Sequence, residues 1–328
     1  MKADVAGRRF DVCNGDADGL CAVLQWRLHE PVPSTLITGL KRDIELLDRL
    51  EPFAVREGDE VLVCDISMQR NRVALRRLLE QGARVRYFDH HEVREVLLHP
   101  RLETHIKFDP RYCSSLLMDA ALGGEWRRWA LVGIYGDNLT EVADALPCPG
   151  LSAHDRHRLR QMGEAINYNA YGDDEGDVWV APARLYPTLA RYRDPIDLLH
   201  QETLLDDLIA ARRADLKEAA LCTPFWNDAR ASVTLLPDAP WSRRVIGCLA
   251  NQLARAQPHM AHAVLKQRSQ GGYVASVRAP LASPYGAHSL CHRFSGSGRA
   301  AAAGIDLLPY QELQRFVGEF SAHPWGAC

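Results

Sequence analysis

Carboxylates and imidazoles gather at four places in the first 140 residues, and each place follows an apolar run. Asn14-Gly15-Asp16-Ala17-Asp18-Gly19 comes after Phe10–Cys13. Asp65 closes the run VLVCDI at Val61–Ile66. Asp89-His90-His91 comes after Arg84–Phe88, and Asp137-Asn138 comes after WALVGIYG. Carboxylate oxygen and imidazole nitrogen make a mixed ligand set that suits Mn²⁺ or Mg²⁺ better than a soft metal. Crowded together without a cation, such carboxylates repel and some take up protons. Two divalent ions remove that penalty.

Each cluster also has a plainer explanation. DADG is a good turn and helix entry. Asp65 alone could cap a helix, Asp137-Asn138 could cap a helix end, and short motifs such as Asp-His-His are weak by themselves. The ordered recurrence at the same end of successive elements favours a shared site.

Periodicity supplies the elements that must hold these groups. Phe10–Cys13, Thr35–Leu40, Val61–Ile66 and Arg84–Phe88 read as strands; the third is a continuous apolar run, the mark of a strand buried on both faces. Gly19–Leu28, Asp43–Leu50, Arg70–Gln81 (with Gly82 as its stop), Ser114–Leu122 and Arg128–Tyr135 read as helices. This alternation predicts α/β architecture: a parallel, Rossmann-like sheet with helices on both faces. Ligands in such sheets bind beyond the carboxyl ends of the strands, so loops from three strands would meet in one crevice.

From Leu151 the pattern is mostly helical, with a polar, glycine-rich interruption over Gly163–Asp177 and one long helix over Pro195–Leu221, read as a connector. Alternation returns after Ala231. Ser232–Leu236 is a strand and Trp241–Ala256 a helix. Ala263–Gln267 and Tyr273–Val277 pair across Gly271-Gly272. A short helix at Ala287–Phe294 leads to GSGRAAAAG at Gly296–Gly304, and a last helix spans Tyr310–Ser321. The expected organisation is a catalytic domain over 1–150, a helical region and linker over 151–222, and a smaller α/β substrate-binding domain over 223–328.

The order DADG, VLVCD, FDHHE, GIYGDN resembles motifs I to IV of the DHH phosphoesterases, and GSGRAAAAG resembles the glycine-rich segment of the DHH-associated domain. That superfamily includes RecJ-type single-strand exonucleases, oligoribonucleases that also act on 3′-phosphoadenosine phosphate, and cyclic-dinucleotide phosphodiesterases. The resemblance implies two Mn²⁺ (or Mg²⁺) ions bridged by Asp65. Asp16 and Asp137 hold one ion and Asp18 and His90 the other. His91 sits beside the scissile phosphate, and Asp89 supports an imidazole. Gly296, Ser297, Gly298 and Arg299 bind substrate phosphate through backbone N–H groups and the guanidinium. Two positions depart from the pattern: Asn14 stands where His or Asp is usual, leaving a weak ligand or a supporting residue, and Arg299 stands where His is usual. Without the resemblance, the glycine segment reads equally well as a tight loop before a small-residue helix.

Composition narrows the class. Apolar residues make up 47% and charged residues 25%, with a net charge of −3, so no preference for long duplex DNA is expected. The nine cysteines form no CxxC pair, which suits a reducing compartment. No apolar run reaches the roughly 18–20 residues that span a bilayer, and the N-terminus lacks an apolar signal region. The sequence is therefore read as a cytoplasmic hydrolase acting on short oligonucleotides, dinucleotides or phosphorylated nucleotides, with a homodimer left open. Two alternatives stand beside it. One is a family II-like inorganic pyrophosphatase, disfavoured because no Arg-Lys-Lys run is present; the other is a non-catalytic nucleotide-binding relative.

Overall fold

The structure is a computed structural model that describes residues 7–268 and 270–326. Two compact units divide the chain: one from Met1–Ala170 and Val178–Ile209, the other from Tyr171–Asp177 and Ala210–Cys328.

In the first unit the chain runs β1 (Arg9–Asn14), α1 (Ala17–His29), β2 (Thr35–Gly39), a 3-10 helix (Leu46–Phe53), β3 (Glu60–Cys64), α2 (Arg72–Glu80), β4 (Arg84–Asp89) and β5 (Leu102–Ile106). Helices α3 (Ser114–Ala121), α4 (Arg127–Gly136), α5 (Thr140–Ala145), α6 (Ala153–Asn169), α7 (Pro182–Leu189) and α8 (Pro195–Gln201) follow. The strands lie parallel in the order β2-β1-β3-β4-β5. The chain leaves β1 toward one edge and returns to the other side at β3, so the order reverses at the β1–β3 junction, where such sheets bind ligands.

Alternation along the strands sorts two cores. Phe10, Val12, Val61, Val63, Val85 and Tyr87 face the 3-10 helix and α2. Cys13, Leu62, Cys64 and Phe88 face α1, α3 and α4. Both faces are covered, which is why VLVC carries no polar residue. Asp11 is the exception on the helical face: it is fully buried, and Arg27 forks onto both its oxygens at 2.7 and 2.8 Å while Ser34 Oγ donates at 2.5 Å.

Glycines let the helices approach closely. A Cβ on Gly133 of α4 would sit 2.1 Å from Ser115 Oγ of α3, and one on Gly136 would sit 2.3 Å from Ala17 Cβ of α1. One on Gly163 of α6 would lie 2.1 Å from the Val132 carbonyl oxygen. These contacts bring the end of α4 to the start of α1.

Several elements differ from the sequence reading. The helix expected at Asp43–Leu50 is the 3-10 turn at Leu46–Phe53, which carries Pro52. Strand β5 was not anticipated: LETHI is a half-exposed edge with no apolar run to mark it. The interruption expected from Gly163 starts later, because α6 runs through that glycine to Asn169. The long helix at Pro195–Leu221 breaks into α8 and α9 (Leu204–Ala219). Glu202 between them is extended (φ −120°, ψ 133°), and its carboxylate accepts from Arg191 at 2.7 Å and Tyr192 at 2.9 Å. Much of the region 151–222 joins the first core: Leu159, Met162 and Ile166 of α6, Leu198 and Leu199 of α8, and Leu205 and Leu208 of α9 are all buried there.

The second unit holds β6 (Trp226–Asn227), β7 (Ala231–Leu236), α10 (Pro240–Ala256), β8 (Ala261–Gln267), β9 (Tyr273–Arg278), α11 (Ala287–His292), β10 (Ser297–Gly298), β11 (Ala302–Leu308) and α12 (Leu313–Ala322). Its sheet order is β10-β11-β9-β8-β7-β6; only the β7–β8 pairing is parallel. The polar stretch Tyr171–Asp177 belongs here because cations draw it in. The buried Lys266 ammonium donates to Asp173 at 2.6 Å, and Arg243 Nη1 donates to Asp177 at 2.8 Å. Arg244 Nη1 donates to the Asp177 carbonyl at 2.7 Å. Among the described residues, no helix is long and apolar enough to cross a membrane.

Gly133→Ala should destabilise the protein by about 1–3 kcal/mol, since the methyl overpacks the α3–α4 contact. Gly318 lies on the exposed side of α12 with nothing near its missing Cβ. Gly318→Ala should therefore add about 0.5–1 kcal/mol. Urea unfolding of both variants checks the pair; equal stability of Gly133→Ala and parent would contradict the close helix approach.

Candidate metal centre

The site is built at the carboxyl ends of three adjacent strands. After β1, Asn14 brackets the turn: its Oδ1 accepts from Asp16 N at 3.2 Å and its Nδ2 donates to the Lys41 carbonyl at 3.1 Å. Asp16 is the N-cap of α1, with Oδ1 accepting from Gly19 N at 3.1 Å. Asp18, in the first turn, reaches the N-terminus of α3. Its Oδ2 accepts from Ser114 N at 2.8 Å and its Oδ1 from Ser115 N at 2.7 Å, while Ser115 Oγ donates to its carbonyl. Two oriented N–H groups and the helix dipole thus hold one buried carboxylate in place.

After β3, Asp65 N still donates to Phe88 O at 3.0 Å, yet its φ is +58°. A left-handed conformation is uncommon outside glycine and costs free energy. It turns the buried carboxylate out of the strand toward His90, whose Nε2 lies 3.2 Å from Asp65 Oδ1 and 3.9 Å from Asp18 Oδ2. The His90 Nδ1 lies 3.9 Å from Asp137 Oδ2. Asp137 is the C-cap of α4, where the helix dipole disfavours negative charge, so a cation is the natural counterweight. The left-handed Asn138 (φ +66°) then turns the chain away.

After β4, Asp89 is the organiser of its loop. Its Oδ1 accepts from His90 N at 2.8 Å and His91 N at 3.2 Å, and its Oδ2 from Met68 N at 3.3 Å. Its Oδ1 also lies 2.7 Å from His91 Nδ1. A carboxylate accepts, so Nδ1 carries the hydrogen and Nε2 becomes the nitrogen that can ligate or exchange a proton. His91 is half exposed whereas His90 is buried.

Electrostatics point the same way. Burial, followed by the charges of Asp16 and Asp18, pushes the Asp65 carboxyl well above the usual carboxylate range. Burial also raises Asp18, aided by Asp137 and Asp16 and opposed by His90. Asp65, His90 and His91 offer ligand atoms that all lie within 4.8 Å of one another. Oxygen and imidazole donors crowded out of water, with carboxylates held against their own repulsion, fit a hard divalent cation.

Sequence reasoning missed Lys41. Its ammonium pairs with Asp16 Oδ2 and donates to Asn167 Oδ1 of α6 at 3.2 Å. Burial raises the Asp16 carboxyl, but Lys41 foremost, with the Gly19 N–H and Asp65, holds it below the ordinary range. Lys41 follows the end of β2, the neighbour of β1, so the strand-end rule that picked the acids extends to it. A lone lysine after GL carries no further signal. Ser114 and Ser115 were also invisible as partners, because they lie about a hundred positions from Asp18 and act through backbone N–H groups.

The segment Gly296–Gly304 is a hairpin of β10 and β11, where the plainer sequence reading expected a small-residue helix. Ala303 pairs with Val277 and Gly304 with Ser276 in the sheet, which holds those small residues extended. Glycine is needed: a Cβ on Gly298 (φ +142°) would meet Ala303 Cα at 2.4 Å. The backbone N–H of Gly296 donates to Cys291 O at 2.8 Å and that of Arg299 to Ala302 O at 2.8 Å. The expected backbone cradle over Gly296–Gly298 therefore loses the Gly296 N–H, leaving Ser297 and the Arg299 guanidinium as its polar side chains. Beside them, Arg278 is pushed below its usual range by burial and by the Arg299 charge, against an opposing influence from Tyr171.

Asp65 binds protons more readily folded than unfolded, so its cost is absent at low pH and grows as pH rises toward its folded pKa. In EDTA, Asp65→Asn should melt above the parent, with the gap wider at pH 8 than at pH 5. Scanning calorimetry at both values checks this; a variant that melts lower at pH 8 would refute carboxylate repulsion as the stored cost.

No family model and no curated relative matches the chain. Solved structures do. A RecJ exonuclease bound to manganese is 18% identical, with a TM-score of 0.61 over 96% of this chain and 90% of that one. The DHH domain of a protein described as belonging to a family of ribosomal proteins is 14% identical, TM-score 0.65, over 97% and 86%. The pGpG-specific phosphodiesterase PggH from Vibrio cholerae is 13% identical, TM-score 0.56, over 96% and 99%. Over nearly its whole length, this chain has the fold of the DHH proteins.

Proposed function

We propose that this protein is a metal-dependent phosphoesterase that hydrolyses short oligonucleotides, dinucleotides or small phosphorylated nucleotides. The observation that carries the reading is the convergence of Asp18 from the start of α1, Asp65 and His90-His91 from the ends of β3 and β4, and Asp137 from the end of α4. Support comes from the RecJ structures with manganese or magnesium and from the dinucleotide phosphodiesterase, which share the fold. Asp18, Asp65, His90 and Asp137 would hold a divalent cation, Mn²⁺ or Mg²⁺, which would supply acidification of a water and offset charge on the phosphoryl oxygens.

The chain's own residues do the rest. Asp65, turned out of its strand, and His90 hold the centre of the ligand set. Asp18, fixed on α3, resists rotation of its carboxylate. Water adds to phosphorus and gives up a proton to solvent, the bond from phosphorus to the leaving oxygen breaks, and that oxygen takes up a proton. His91 Nε2 is the group assigned to deliver it; the contact of Asp89 with Nδ1 supports this, because the carboxylate accommodates the positive charge that the ring carries when Nε2 is protonated. In the second unit, Arg299 and Ser297 are assigned to a substrate phosphate. The eight described cysteines are all free thiols, in keeping with a reducing, cytoplasmic setting.

EDTA should abolish hydrolysis and Mn²⁺ restore it. Asp65→Asn and His90→Ala should each lower kcat by roughly 10²–10⁴-fold with the fold intact by circular dichroism. The deciding assay offers dinucleotides, graded oligonucleotides, cyclic dinucleotides, 3′-phosphoadenosine phosphate and pyrophosphate to the Mn²⁺-loaded protein. Full turnover in metal-free buffer would defeat the reading, and turnover of pyrophosphate alone would favour a pyrophosphatase.

His91→Ala should cost kcat more than KM, and the loss should be smaller for a substrate whose leaving group is a nitrophenolate, which needs no proton. A uniform loss on both substrates would remove His91 from the proton-donating role.

A further inference from the structure

The ligand set divides unevenly. Asp18, Asp65 and Asp137 all lie against the His90 ring, whereas Asp16, although it stays close enough to Asp65 to act on its charge, has each carboxylate oxygen engaged by another partner. Its Oδ1 caps α1 and its Oδ2 pairs with the Lys41 ammonium. Asn14, the position that departs from the motif, spends both ends of its amide on the turn and on the Lys41 carbonyl.

Lys41 is also built into place. Its backbone N–H donates to the Ala170 carbonyl at 3.0 Å, its carbonyl accepts from Asn14, and its ammonium donates to the buried Asn167 as well as to Asp16. A solvated surface lysine has no such fixation at both ends. Lys41 thus delivers a fixed positive charge to Asp16, at the place where the resemblance implies a first metal ion.

We propose that the Lys41 ammonium replaces one of the two cations, so that the chain holds a single divalent ion among Asp18, Asp65, His90 and Asp137. Asn14 and Lys41 are then two halves of one change. The amide gives up a ligand position, and the ammonium restores positive charge beside Asp16 without dehydrating a second ion. A strongly hydrated ammonium with three donors can also contact a phosphoryl oxygen. This inference rests on the metal-dependent reading of the site.

The test is Mn²⁺ stoichiometry and the electron paramagnetic resonance spectrum of the purified full chain. The parent should bind one Mn²⁺ and give an isolated six-line signal. Lys41→Met, or failing that Asn14→Asp combined with Lys41→Met, should bind two and show exchange coupling between them. Two coupled ions in the parent would overturn the proposal while leaving the metal-dependent reading intact. A stoichiometry of one in both variants would overturn it too, because Lys41 would not be what excludes the second ion. A parent that binds no Mn²⁺ would remove both readings at once. Should Lys41→Met fail to fold, the parent's stoichiometry still decides.

Discussion

The first unit answers to one electrostatic problem: several carboxylates are buried within reach of one another at the carboxyl ends of the inner strands of a hydrophobic sheet. Left alone, they repel, and the low dielectric around them magnifies the cost. The fold holds them with groups that cannot move away. Backbone N–H groups of α3 grip Asp18, the N-terminus of α1 grips Asp16, and the left-handed turn after β3 aims Asp65. Asp137 is placed against the dipole of its own helix. Arrangements that spend stability in this way are characteristic of sites shaped for a ligand.

The scaffold that tolerates this cost is stiff. Both faces of the parallel sheet are covered, so its strands have no solvated side along which to slip register. Glycines at 133, 136 and 163 let α1, α3, α4 and α6 approach at backbone distance, leaving little slack between the helices that carry Asp18 and Asp137. The buried Asp11–Arg27 pair is the polar counterpart of that packing. It ties β1 to the last turn of α1, the helix that opens with Asp16 and Asp18.

Two imidazoles are handled in opposite ways. His90 sits buried at the centre of the acids, within 3.9 Å of three of them. His91 next door is half exposed and leans on Asp89. Neighbouring residues of one type thus acquire different chemistry from one loop, through the single carboxylate that braces the second ring. The second unit uses the same economy of charge structurally: Lys266 and Arg244, both buried, are matched to Asp173 and Asp215 from segments far apart in the chain.

What the sequence determined by itself is what depends on local pattern. Apolar runs ending in Asp or His announced β1, β3 and β4 and the acids at their ends, because a strand buried on both faces must be apolar and a strand end must turn. Helices α1 to α4 and α10 to α12 followed from periodicity, with Gly82 marking one stop. Tertiary structure decided whatever depends on a partner distant in sequence. LETHI becomes a strand only because β4 offers an open edge, and Pro195–Leu221 breaks because Arg191 and Tyr192 claim Glu202. Tyr171–Asp177 leaves the helical region because Lys266, Arg243 and Arg244 bind its acids and carbonyl. The Lys41–Asp16 pair and the grip of Ser114 and Ser115 on Asp18 are of this kind as well. A charge or a backbone N–H has no periodicity, so its meaning appears only when folding brings its partner beside it.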